Sequence, residues 1–188
     1  MLSIAFKEWA VICRALAEGR QSLILRKGGI AESNGEFRPE HSRFLLYPTY
    51  FHEQQRSGIK PELMPLLGTA ESEKPPAGII RFAHFADVAA VHRIEKLEAA
   101  LALDTFHGWT SETVEKRFHY RDPGLFALVV RVHRLPFAHE VVERSEYTGC
   151  KSWVQLDPGI IIDEAKPVLD DESFAHIVES ITSLTHQS

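Results

Sequence analysis

The densest concentration of reactive side chains lies between Arg26 and Glu53. It opens on Arg26-Lys27-Gly28-Gly29, two cations followed by glycines whose N–H groups can approach a phosphate closely. Arg20 stands just upstream, and Arg38 and Arg43 follow. Tyr47, Tyr50 and Phe51 add aromatic faces on which bases can stack. Together these residues form a candidate binding surface for nucleic acid or a nucleotide-like anion. The segment is not a P-loop, because the glycine spacing differs and no Gly-Lys-Ser/Thr follows.

The same stretch holds a second candidate chemistry. His41, His52 and Glu53 supply two imidazoles and a carboxylate, enough donors for a hydrolytic zinc or manganese site. A divalent metal is then the candidate cofactor, and a metal-dependent hydrolase or nuclease the alternative function. Glu32, Glu36 and Glu40 lie near Lys27, as carboxylates and a lysine do in metal-dependent nucleases, but the usual acid-x-lysine strand is absent. Each cluster has an ordinary counterpart: a charged strand end, surface histidines, solvated glutamates. Arg131 and His133, on an apolar strand, either face a nucleic acid or form a solvated face. Cys150 beside Lys151 becomes a nucleophile only with a histidine close by. The simpler reading is the start of a packed strand.

These side chains need elements to position them. Phe6, Trp9, Cys13 and Leu16 recur at helical spacing, which predicts a helix over 4–18. A strand follows over 21–26. Ser33-Asn34-Gly35 is a hairpin turn signal. Residues 44–47 read as a strand ended by Pro48, and 50–56 and 61–67 as helical turns. Residues 71–77 read as a loop, and 79–91 fit either strand or helix. Helices are predicted over 95–103 and 111–118. A strand over 125–132 is ended by Pro136, another strand spans 151–156, and a helix spans 170–184. The elements do not alternate regularly. The expectation is an α+β fold with a curved or barrel-like mixed sheet and flanking helices. It is expected to form a single domain over 1–188 with a C-terminal helix at about 170–186.

The 188 residues suffice for a sizeable core without staples. A net charge of -5 rules out a uniformly basic coat but leaves room for a local basic patch. No apolar run approaches ~18 residues, and Lys7, Glu8 and Arg14 interrupt the N-terminal region, so neither a membrane span nor an export signal is expected. Two lone cysteines, Cys13 and Cys150, make no disulfide framework and suit a reducing, cytoplasmic setting.

Four blocks carry a family resemblance: Phe6-Lys7-Glu8-Trp9, Leu25-Arg26-Lys27-Gly28-Gly29-Ile30, Phe44-Leu45-Leu46-Tyr47-Pro48-Thr49 and Gly149-Cys150-Lys151-Ser152-Trp153-Val154. In this order they resemble an uncharacterised bacterial family catalogued as domain of unknown function 1802, which implies no activity. The opening helix, Gly19-Arg20-Gln21-Ser22 and the strand to Arg26 look like the start of PUA and ASCH-type barrels. That resemblance implies a barrel-like fold and RNA as a partner, while the basic and aromatic residues themselves leave RNA or DNA open.

Overall fold

The computed structural model describes residues 1–28, 30–33, 36–50, 56–149 and 151–186, with backbone alone for 30–33, 36–38 and 186. The chain opens with a strand, β1 (Leu2–Trp9), and only then forms a helix, α1 (Ala10–Ala17). The predicted helix over 4–18 is therefore split. Ile4 and Phe6 pack into one core and Ala5 into another, the alternation of a strand with two covered faces. Pairing supplies what local propensity does not: β1 runs parallel to β5 (Arg43–Thr49) and antiparallel to β8 (Trp153–Ile160).

The main sheet has the order β2-β7-β6-β5-β1-β8 and does not close. β2 (Leu23–Arg26) pairs with β7 (Leu125–Val142), and β7 with the long β6 (Ile79–Ile94). The short β9 (Lys166–Pro167) adds to β7 at Arg134 and His133. A separate hairpin of β3 (Ile30–Ser33) and β4 (Glu36–Pro39) flanks the expected turn. Thus the fold is mixed α+β, with an open, curved sheet flanked by helices.

Two strands run through prolines expected to end them. β5 continues past Pro48, which pairs with Glu8. β7 continues past Pro136, which sits where the β6–β7 register shifts between Phe82 and His84, opposite His139 and Arg134. At such an irregularity no ladder N–H is required, so proline is tolerated.

The helices cover the face that carries the larger core. α1 is buried along nearly its whole length and packs near α2 (Met64–Ser72). α3 (Leu97–Ala102) and α4 (Ser111–His119) follow β6, and α5 (Asp171–His186) ends the chain. Asp170 caps α5, its carboxylate accepting the Ser173 N–H at 2.8 Å. Among the described residues no helix is long and apolar enough to cross a membrane.

One buried clamp ties β2 to the segment before α4. Gln21, 3% exposed, donates through Nε2 to the Leu23 carbonyl at 2.6 Å and accepts the Gly108 N–H at 3.0 Å. A side chain at Gly108 would strike the end of the Leu63 side chain, so the glycine leaves room for Leu63 beside the clamp. Trp109, fully buried, is held next in line. Gln21→Ala leaves both backbone groups without their partner and opens a cavity. It is expected to lower the unfolding free energy by about 2–3 kcal/mol in urea denaturation. A loss below about 0.5 kcal/mol, the range of an ordinary surface change, would contradict the clamp.

Candidate anion-binding cleft

Arg26 is the last residue of β2, at one end of the sheet path. Its guanidinium carbon lies 4.4 Å from the Phe6 ring centre and 5.3 Å from that of Trp153. Phe6 and Trp153 are register partners in β1 and β8, at the other end of the path. The sheet thus curls until its two ends face each other. Side chains rather than backbone hydrogen bonds bridge the seam. Phe44 joins the aromatic group, 5.2 Å from both Phe6 and Trp153. His41 meets Trp153 edge-on at 5.0 Å.

Beside this seam lies a cleft of about 820 Å³. Its lining includes the basic side chains of Lys7, Arg26, Lys27, Arg93, Arg117 and Arg121 against the carboxylates of Glu8 and Asp122. The chain as a whole carries -5, so the positive charge here is local.

Arg117 enters from α4. Val114, Arg117 and Phe118 fall on one face of that helix, and the two apolar residues are buried. The face carries Arg117 inward, its guanidinium carbon 4.6 Å from the Trp109 ring and 5.4 Å from that of Trp9. Its Nη1 donates to the Leu25 carbonyl at 3.3 Å. Burial lowers the pKa of Arg117 and Arg26 alike, and the field of Glu8 opposes that shift in both. Among the described residues neither guanidinium has a carboxylate within ion-pair distance, and Arg26 Nη1 is buried without a hydrogen-bond partner.

Glu8 lies two residues after Phe6 on β1 and is 8% exposed. Its Oε1 accepts the Trp9 N–H at 2.8 Å. Burial raises its pKa; Arg117, the Trp9 N–H and Arg26 pull it back. Between its ordinary and folded values, the unfolded chain has lost this proton while the folded chain still holds it. This group's contribution to stability therefore falls as pH rises through that window.

Lys27 holds the rim together. Its ammonium donates to the carbonyls of Phe118 at 2.8 Å, Gly124 at 2.7 Å and Asp122. It thereby caps the C-terminal end of α4 and fixes the loop that follows. In that loop Arg121 has φ 62°, a strained backbone for a residue with a side chain, and its guanidinium lies 5.2 Å from the exposed Tyr120 ring.

The residues singled out from sequence are only partly gathered here. Arg26, Lys27 and Gly28 line the cleft, Lys27 with its ammonium already engaged. Arg20 pairs with Glu18 at 3.2 Å, and Arg43 with Asp87 at 2.5 Å, both outside the lining. Tyr47 offers no face for stacking. It is 4% exposed, and its hydroxyl donates to Glu143 at 2.8 Å. Burial, then that carboxylate, holds the phenol above its ordinary range. Tyr50 lines a different cavity and lies under the Lys74 ammonium at 5.2 Å. Gly29, Phe51, His52 and Glu53, the side chains of Glu32, Glu36 and Arg38, and Cys150 lie outside the described residues. Of the expected metal set only His41 is described, 3.9 Å from the Glu40 carboxylate. Among the described residues no three His, Cys, Asp or Glu side chains cluster as a metal would require.

Glu8, Arg93, Arg117 and Arg121 were not among the expected site residues. Arg117 carries a readable signal, a basic residue on the apolar face of a helix. Glu8 does so only once residues 2–9 are recognised as a strand.

Three of the four sequence blocks noted above contribute to the lining of this cleft, the fourth pairs with β1 alongside, and a family model matches residues 5–180. The chain belongs to the family described as domain of unknown function (DUF1802). No curated protein matches the sequence. Among solved structures it is similar to ASCH from Zymomonas mobilis, at 12% identity and a TM-score of 0.49 over 94% of this chain and 93% of that one. Two single-substitution variants of that protein give the same TM-score at 10% identity, over 94% of this chain and 94% and 96% of theirs. A likeness at this level carries no argument about what the family binds.

The opposing influences on the Glu8 carboxyl can be tested directly. A side-chain NMR titration is expected to give Glu8 a pKa above that of glutamate in an unfolded peptide, and Arg26→Met is expected to raise it further. A value at or below that of the peptide would contradict the buried placement.

Proposed function

We propose that the seam cleft binds the phosphate of a nucleotide or of a nucleic-acid strand. The observation that carries this reading is the pair Arg26 and Arg117. Both guanidiniums are partly desolvated at the cleft, and neither has an ion-pair partner among the described residues. Stacking on aromatic rings returns about 2 kcal/mol at a desolvated site. Removing a charge from water costs several kcal/mol unless it is paired. The difference favours an anion from outside the chain. Guanidinium suits phosphate because its planar fork can donate two parallel hydrogen bonds. Arg121 and Tyr120 at the rim add an exposed cation and an exposed ring, the combination used along single strands.

The test is fluorescence anisotropy with a short single-stranded RNA and with labelled nucleotides over a salt series. Affinity is expected to fall steeply as salt rises. Arg121→Ala is expected to weaken binding roughly tenfold, the scale of one charge-assisted contact. Arg43→Ala, which removes a cation already paired with Asp87, is expected to leave it unchanged. Undetectable binding at low salt, or equal losses in the two variants, would overturn the reading.

A further inference from the structure

A second cavity, of about 430 Å³, shares no lining residue with the seam cleft. One face of α1 forms part of its wall, with Ala10, Arg14 and Ala17 at helical spacing. Ala70 of α2, Ala83 and His84 of β6 and Arg134 of β7 also line it. Four alanines in the wall leave space that longer side chains would fill.

Two of its three guanidiniums are already engaged. Arg14 pairs with Glu18 at 2.8 Å and with Glu73, and Arg81 pairs with Glu140 at 2.8 Å. Arg134 has no carboxylate within ion-pair distance among the described residues. Its register partners are His84 on β6 and Lys166 on β9, so a second cation rather than an acid stands opposite it on that side. Like charges so placed repel. Directly opposed residues share a face of the sheet, which sets His84 and Arg134 side by side. The β6–β7 ladder breaks just before this pair, between Phe82 and His84, and such irregularities re-aim side chains. Burial, then the fields of Arg134 and Arg14, push the His84 pKa down to about 4, so near pH 7 the ring is neutral and carries one N–H. Its Nε2 is sealed without a partner, whereas its Nδ1 is not sealed and bonds no described residue. An N–H sealed away from every acceptor is rare, which puts the proton on Nδ1.

We propose that this cavity binds a small organic monocarboxylate, its carboxylate held by Arg134 and the His84 Nδ1–H and its apolar body by the alanine walls. The guanidinium fork matches the two oxygens of a carboxylate, and the imidazole adds one donor. A phosphate dianion fits less well, because one unpaired cation is offered and Glu18 and Glu73 line the same space. The volume lies within the ~300–1,000 Å³ of sites that engulf a small molecule.

NMR titration with hexanoate and benzoate, each beside its neutral amide, tests the assignment. The acids are expected to bind roughly tenfold tighter than the amides, the scale of one charge-assisted contact. They are expected to move the His84 ring signals with the same saturation. Arg134→Met, a change at an exposed side chain, is expected to reduce the acids to the level of the amides. Ala83→Leu, at a partly exposed position, is expected to weaken acids and amides alike. Pyrophosphate, a probe of the seam cleft, is expected not to displace the acids. Equal binding of acids and amides, or none of either, would overturn the assignment. So would an acid preference that survives in Arg134→Met, undiminished binding in Ala83→Leu, or displacement by pyrophosphate.

Discussion

A guanidinium from one end of the sheet lies on aromatic rings from the other. Much of the architecture depends on that contact between Arg26, Phe6 and Trp153. Backbone pairing carries the sheet from β2 through β7, β6, β5 and β1 to β8 and then stops. The curl that brings the ends together leaves a seam that no ladder closes, and exposed seams invite unwanted pairing. Here the seam is filled by side chains, and the cleft opens beside them. The site is therefore a consequence of incomplete closure rather than an addition to a finished barrel.

The charge arrangement follows from the same geometry. Phe6 and Glu8 share one face of β1 because side chains alternate along a strand, so the carboxylate reaches the seam with the ring that stacks Arg26. Arg117 arrives from α4 on the face that buries Val114 and Phe118. One carboxylate acts on two guanidiniums and leaves a net positive charge in a partly desolvated place. Lys27 is spent on three carbonyls, which freezes the loop bearing Arg121 and Gly124. Its role is in building the rim, although sequence alone places it with the phosphate contacts.

Much of the fold was legible because most elements carry local signals. The hydrophobic run at Leu125–Val132 and the acidic start of α5 each predict what forms. The misplaced element was β1. Its helical spacing of Phe6, Trp9 and Cys13 is real, but partners on both sides select a strand up to Trp9. That error hid Glu8, since a helix would turn it away from Phe6. The crowded stretch from Arg26 onward supplies Arg26, Lys27 and Gly28 to the cleft lining, but not Arg43 or Tyr47. Arg43 and Tyr47 project from β5 to partners of their own, Asp87 and Glu143. The groups that complete the cleft lie about a hundred positions further along the chain, at Arg117 and Arg121, and no spacing rule links them to Arg26.

The central claim is that Arg26 and Arg117 jointly hold an anion. The most direct measurement follows the side-chain Nε–H resonances of the arginines while pyrophosphate is added. The account predicts that those of Arg26 and Arg117 move together and saturate with one dissociation constant, while those of Arg43 and Arg81, paired with Asp87 and Glu140, stay in place. Shifts spread evenly over all the arginines, or none at Arg26 and Arg117, would contradict it.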